Sequence, residues 1–170
     1  SHDTDDYRAA LDVLKQIRPY IRQFSSSGYI DELASGDLCM VYGFSGDVMI
    51  ARQRAEEAGK PYEIDYVIPD GGAPAWFDTM AIPADARNVE AAHAFINYIE
   101  TPEVHAAITN EMFYPNANKS ARQFVVEAVA GNPMIYPPPE GARQLFVIKS
   151  QPLVAKRIQT RMWAALKSGR

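Results

Sequence analysis

Two short stretches of the sequence set an aromatic ring beside a carboxylate. Tyr42-Gly43-Phe44-Ser45-Gly46-Asp47 places Phe44 and Asp47 around a glycine-containing turn, and Ala75-Trp76-Phe77-Asp78-Thr79-Met80 places Trp76 next but one to Asp78. An ammonium gains about 1.5 to 3 kcal/mol from a charge-assisted hydrogen bond to a carboxylate. Over an aromatic face it gains roughly 0.5 to 2 kcal/mol. Two such clusters fit a site for an organic cation. Each residue also has a plainer role. Asp47 falls in the first turn of a helix, where the dipole favours an acid. Phe44 and Trp76 have the usual fate of aromatics near strands, packing in a core. Ser45 offers a hydroxyl either to a ligand or as a cap for the helix opening at Gly46. Asp78 lies in an apolar segment between Phe77 and Met80, where an unpaired charge is costly, and is the stronger functional candidate.

The elements that must hold these residues alternate. Leu38-Cys39-Met40-Val41 is an unbroken apolar run that reads as a buried strand up to Tyr42, and Gly46 to Ala58 reads as the helix after it, closed by Gly59. A strand that ends in a glycine turn and opens a helix places that turn at the carboxyl edge of a sheet, where open α/β folds put their ligands. Upstream, a helix from Asp5 to Arg18 carries Tyr7, Leu11, Leu14 and Ile17 at helical spacing and ends at Pro19. Tyr20 to Phe24 is a short strand candidate, and Ser27 a cap for a helix from Gly28 that stops at Gly36. Tyr62 to Ile68 alternates like a strand, and a turn-rich stretch leads to a further extended segment from Ala75 to Ile82. Asn88 caps a helix from Val89 to Glu100, and Thr101-Pro102-Glu103 opens the next, carrying Val104, Ile108 and Met112. Phe113 to Asn118 is irregular, a short helix surrounds Arg122 to Val129, and a last helix runs from about Pro152 to Lys167. The expected fold class is α/β.

The 170 residues are enough for one ordinary domain, with 47% apolar residues to fill a core. With 17 basic and 21 acidic residues the net charge is −4, which supplies no basic surface for a phosphate backbone, so nucleic acid is not an expected partner. The single cysteine, Cys39, sits in the expected buried strand and excludes a disulfide or a thiolate metal cluster within the chain. No apolar run approaches the roughly 18 residues of a membrane span, and no signal peptide is visible. Ser1-His2 reads as the remainder of a cleaved affinity tag.

An enzymatic alternative starts from strand, Gly43-Phe44-Ser45-Gly46, helix. That is the context of a serine hydrolase nucleophile elbow of α/β type, with Ser45 as nucleophile, although Asp47 stands where the motif has glycine. His93 and His105 complete a Ser, Asp, His order, but both fall within amphipathic helices. A metal site using Tyr114, Asp78 and a histidine has no diagnostic ligand spacing, and neither metal nor cofactor is expected.

Taken in order, Gly43-Phe44-Ser45-Gly46-Asp47-Val48, Tyr66-Val67-Ile68-Pro69-Asp70-Gly71-Gly72-Ala73, Trp76-Phe77-Asp78, Ala81-Ile82-Pro83-Ala84-Asp85-Ala86, Ala92-His93-Ala94-Phe95-Ile96-Asn97-Tyr98-Ile99, Phe113-Tyr114-Pro115-Asn116-Ala117-Asn118 and Ile135-Tyr136-Pro137-Pro138 resemble the polyamine-binding periplasmic proteins of ABC transporters, which bind putrescine or spermidine. The resemblance covers nearly the whole chain. It implies a non-enzymatic receptor in the periplasm, with a polyamine and an ABC transporter permease as partners. In that family the aromatic of the Gly-aromatic-x-Gly-Asp turn lines the ligand channel and its Asp binds an ammonium group, which carries over to Phe44 and Asp47. The aromatic-x-Asp element carries over to Trp76 and Asp78, and the tyrosine of the Tyr-x-Asn-Ala-Asn loop to Tyr114. A plainer role for Tyr114 is to pin its loop by ring packing and a hydroxyl hydrogen bond. Many relatives have Trp where this chain has Phe44.

The implied fold is periplasmic binding protein-like type II, incomplete: the C-terminal half of a two-lobed fold. Residues 1–62 would be part of the second lobe, 63–117 a hinge strand and the returning part of the first lobe, and 118–170 C-terminal helices packing on the second lobe. The implied structural partner is the missing N-terminal half, or a swapped second copy of the chain.

Overall fold

A strand-like sequence becomes a strand only where a neighbour completes its hydrogen-bond ladder. In the computed structural model, which describes residues 3–169, one ladder forms among the described residues. β1 (Ala73–Ala75) pairs in parallel with β2 (Leu145–Val147), with Ala73 opposite Leu145, Pro74 opposite Phe146 and Ala75 opposite Val147. The other regular elements are helical: α1 (Thr4–Ile17), α2 (Tyr29–Ser35), α3 (Ser45–Glu57), α4 (Val89–Ile99), α5 (Pro102–Met112), α6 (Glu127–Ala130), α7 (Pro139–Ala142) and α8 (Leu153–Ser168). Short 3-10 turns lie at Arg18–Tyr20 and Lys119–Phe124. Ser1-His2, read above as a tag remainder, lies outside the described residues.

The chain divides into two compact units. In the first, which joins the chain through Ser26 to the segment from Ile148, α1 packs on α8. The Asp3 side chain caps α1 by accepting from the Asp5 amide at 3.0 Å. Arg18, just past the end of α1, donates to the Leu166 and Lys167 carbonyls at 3.2 and 3.4 Å. Those carbonyls end α8, where a helix lacks internal donors and favours a cation. Edge-to-face contact of Phe24 with Trp163, centroids 5.1 Å apart, adds to this helix pair.

The second unit, Ser27–Val147, holds the main core. Leu33 and Ala34 of α2, Val48, Met49, Ala51 and Ala55 of α3, Ala106 of α5, and Ile64, Ala121, Val125, Val129 and Ile135 pack together. Alanines at the contacts of α3 and α5 let the helices approach closely, and each buried methylene is worth about 0.8 kcal/mol. Gly28 and Gly36 flank α2 and α5 carries Pro102 at its start, as the sequence reading expects, but Asn88 and Thr101, expected to cap α4 and α5, stand at the cap positions without a side-chain cap hydrogen bond.

Several expected strands do not form. Residues 38–42 are extended or irregular with no ladder neighbour among the described residues; Met40 is 90% and Tyr42 84% exposed. Cys39, expected in a buried strand, is exposed. Residues 62–68 keep the period of two, with Ile64 buried, Tyr66 and Ile68 half-buried and Glu63, Asp65 and Val67 exposed, yet they too are unpaired. Of the expected strand Tyr20 to Phe24, Tyr20 ends the 3-10 turn and residues 21–24 are irregular. The pattern of each segment suits a sheet, but the backbone partners are not among the described residues. The observed architecture is therefore helix with little strand, short of the full strand and helix alternation expected for an α/β fold. Among the described residues no helix is long and apolar enough to cross a membrane.

Candidate functional site

Asp47 lies in the first turn of α3, and Phe44 is the extended residue at the helix start, with φ −88° and ψ 146°. The Phe44 carbonyl accepts the Val48 amide at 3.1 Å, but no side chain caps this helix. Ser45, expected as a cap or a ligand contact, is the first helical residue and caps nothing. The start of α3 therefore keeps its free backbone amides near Asp47, and the dipole favours the acid there.

The carboxylate is also gripped from two other elements. Tyr29, at the start of α2 and only 5% exposed, donates its hydroxyl to Asp47 Oδ2. Tyr114, on the loop after α5, donates its hydroxyl to Asp47 Oδ1 at 2.7 Å. That loop begins with Phe113 in the left-handed region, φ 57°, which turns the chain sharply at the end of α5. Glycine at position 46 is required by the close approach: a Cβ there would collide with the Tyr114 ring and lie 2.6 Å from the Met112 carbonyl oxygen. The side chain of Asp47 is thus fixed before any ligand arrives, with two of its roughly four acceptor positions filled.

Burial, then the bond to Asp47 and its charge, push the Tyr29 hydroxyl up to about 12 from an ordinary 10.0, against a smaller opposing effect of the Phe44 amide. Burial, followed by the same carboxylate, raises Tyr114 further. Both hydroxyls therefore keep their protons at neutral pH and stay donors to the carboxylate.

Phe44 and Trp76 meet edge to face, centroids 5.5 Å apart and planes at 72°. They are 45% and 56% exposed, so neither is locked in a core as the plainer role supposed. An edge-to-face pair prefers this geometry by about 0.5 to 1.5 kcal/mol beyond its buried area. The contact brings the Trp76 segment beside the turn that carries Asp47, joining both aromatic-plus-acid stretches through their rings. Asp78 itself is exposed, between the exposed Phe77 and Met80, and has no hydrogen-bond or ion-pair partner among the described residues. The expectation that its charge is held in an apolar environment is corrected: the neighbouring apolar side chains face solvent too, so the carboxylate stays hydrated.

The hydrolase alternative loses its support. No hydrogen bond joins Ser45 to a histidine among the described residues; His105 Nδ1 instead lies 3.3 Å from Glu100, and His93 is exposed on α4. The strand that an elbow requires before Gly43 is not formed. Among the described residues no group of three or more His, Cys, Asp or Glu side chains is placed to hold a metal ion.

Comparison with known proteins bears on what this acid and ring arrangement serves. The family described as bacterial extracellular solute-binding protein matches residues 1–135. The chain belongs to this family. Among relatives of known role, the putrescine-binding periplasmic protein of Escherichia coli is 45% identical over 171 residues, covering 100% of the chain and 46% of the relative. A putrescine-binding periplasmic protein of Pseudomonas aeruginosa is 42% identical, covering 99% of the chain and 47% of the relative. The spermidine/putrescine-binding periplasmic protein of Escherichia coli is 33% identical over 138 residues. The chain spans about half the length of the first two relatives, and the solute-binding family has a periplasmic binding protein fold, of which the helices and short parallel pair here are consistent with a part.

Tyr29 was missed by sequence reasoning as a part of this arrangement. Its place on α2 reads as one of an apolar set with Ile30 and Leu33, and no spacing links it to Asp47, eighteen positions away. Gly46 carried a weak signal, since a glycine inside the first turn of a helix is costly unless something must come close.

Proposed function

We propose that this chain is the C-terminal half of a periplasmic solute receptor for polyamines such as putrescine or spermidine, with the two-lobed type II fold, delivering its ligand to an ABC transporter permease. Family membership and the named relatives support the receptor class. The observation that carries the ligand class is Asp47, an ionisable carboxylate preset by two tyrosine hydroxyls beside the exposed Phe44 and Trp76 rings. Polyamines carry ammonium groups joined by methylene chains, so a receptor needs acids at the ends and rings along the chain. In this reading Asp47 takes one ammonium, Asp78 another, Phe44, Trp76 and Tyr114 wall the methylenes, and Ser45 lends a hydroxyl at the turn.

The lobe assignment follows the same reading. Residues 1–62 belong to the second lobe, 63–117 to a hinge strand and the returning part of the first, and 118–170 to helices on the second. The unpaired extended segments at 38–42 and 62–68 then find ladder neighbours in the N-terminal half, or in a swapped second copy. Closure of the lobes around the ligand is the working motion.

Titration calorimetry of the full-length protein with putrescine, spermidine and 1-butylamine tests this. A diamine held at both ends should bind at least tenfold tighter than the monoamine, about 1.4 kcal/mol. Equal affinities for all three, or no binding, would reject a polyamine receptor.

A further inference from the structure

Resting on the receptor reading, we propose that Tyr29 is a positioning residue of the polyamine site: its hydroxyl accepts from the Phe44 amide and donates to Asp47 Oδ2, tying the ring-bearing and acid-bearing ends of one turn to α2. The Phe44 amide to Tyr29 oxygen distance is 3.3 Å. The hydroxyl thereby uses its one proton on the carboxylate and a lone pair on the backbone that carries the ring. Phe44 and Asp47 are the residues whose relative placement sets how far an ammonium on Asp47 lies from the aromatic wall. A single side chain bonded to both fixes that distance.

The surroundings are built for this. Tyr29 is buried, while its target, Asp47, is half-buried. Gly43 makes room for the ring: a Cβ at that position would lie 2.9 Å from Tyr29 Cε2 and 3.2 Å from its oxygen. Tyr114 has a different place in the site. It reaches the other carboxylate oxygen from the far side of α3 in sequence and has no bond to the Phe44 backbone among the described residues. Removing the Tyr114 hydroxyl leaves the turn tied to α2; removing the Tyr29 hydroxyl frees the Phe44 amide and leaves the Asp47 carboxylate held by Tyr114 alone.

A double-mutant cycle on the full-length protein tests the assignment. Calorimetry with putrescine is run on the unmutated protein, Tyr29→Phe, Asp47→Asn and the double variant, with thermal melts to confirm folding. Tyr29→Phe should weaken binding about tenfold on its own and less than about twofold once Asp47 is Asn, an interaction of roughly 1 kcal/mol. The same loss in both backgrounds, or none in either, overturns Tyr29 as a positioning residue while the receptor reading stands. Absence of putrescine binding by the unmutated protein overturns both. If Tyr29→Phe does not fold, tyrosine absorbance titrated in Tyr114→Phe, with and without Asp47→Asn, reads the same bond: a late-titrating tyrosine should move down when Asp47 is replaced, and an unmoved one rejects the assignment.

Discussion

The two acids that look alike in the sequence stand in opposite environments. Asp47 lies in the first turn of α3 and its carboxylate is held at two points, by Tyr29 from α2 and by Tyr114 from the loop after α5. Asp78 lies on an irregular, exposed segment with no hydrogen-bond or ion-pair partner among the described residues. Both stand near the same ring pair, since Phe44 touches Trp76. The contrast teaches that an aromatic beside a carboxylate does not define a site by itself. What distinguishes Asp47 is a set of donors from separate elements of the same unit, and a fixed carboxylate loses less conformational freedom on binding a cation.

If that contrast is right, mutations at the two acids should divide binding from stability. The largest effect is expected at Asp47→Ala. It removes the proposed ammonium partner and leaves the hydroxyls of buried Tyr29 and half-buried Tyr114 without their acceptor, so putrescine affinity should fall roughly 100-fold, about 2.7 kcal/mol, and thermal stability should fall with it. A loss of affinity with an unchanged melting temperature would show that the tyrosines gain nothing from the acid. Next, Gly46→Ala should cost about 1 to 3 kcal/mol in denaturant unfolding, because the added methyl meets the Tyr114 ring and the Met112 carbonyl. Neutral behaviour there would mean the loop is not held closely against α3. Asp78→Asn should weaken polyamine binding at least tenfold, about 1.4 kcal/mol, while shifting unfolding by less than about 0.5 kcal/mol. A stability change as large as that of Asp47→Ala would erase the difference between the two regions.

The smallest effect concerns alkaline pH. Tyr29 titrates near an ordinary 10.0 when unfolded and at about 12 in the folded protein, so its neutral form is the one folding favours. Its contribution is fully present below pH 10 and is lost as pH rises from there through 12. Unfolding free energy should decline over that window, and Tyr29→Phe should flatten the decline. The same slope in both proteins would remove Tyr29 as its source.

Helices were the most legible part of the chain. Pro19 and Pro102 place helix boundaries, and the apolar spacing of α1, α3 and α5 carries into their observed ranges within a residue or two. Strands were not. The runs at 38–42 and 62–68 have the right residues, but a ladder is a property of two segments, and a second one is not visible in either pattern. In the site, the turn from Phe44 to Asp47 and the loop of Tyr114 could be named from motifs. Their meeting at one carboxylate could not, because the Tyr29 bond depends on how α2 crosses α3. Asp78 shows the reverse: an apolar sequence context did not become a buried one, since Phe77 and Met80 stay exposed beside it.

A crystal structure of the full-length protein with putrescine is the most direct test. One ammonium nitrogen is expected about 2.7 to 2.9 Å from the Asp47 carboxylate, with the Tyr29 and Tyr114 hydroxyls still bonded to it and the methylenes against Phe44 and Trp76. Putrescine bound elsewhere, with Asp47 contacting only its two tyrosines, would make the cradle a structural clamp and end its assignment as a ligand site.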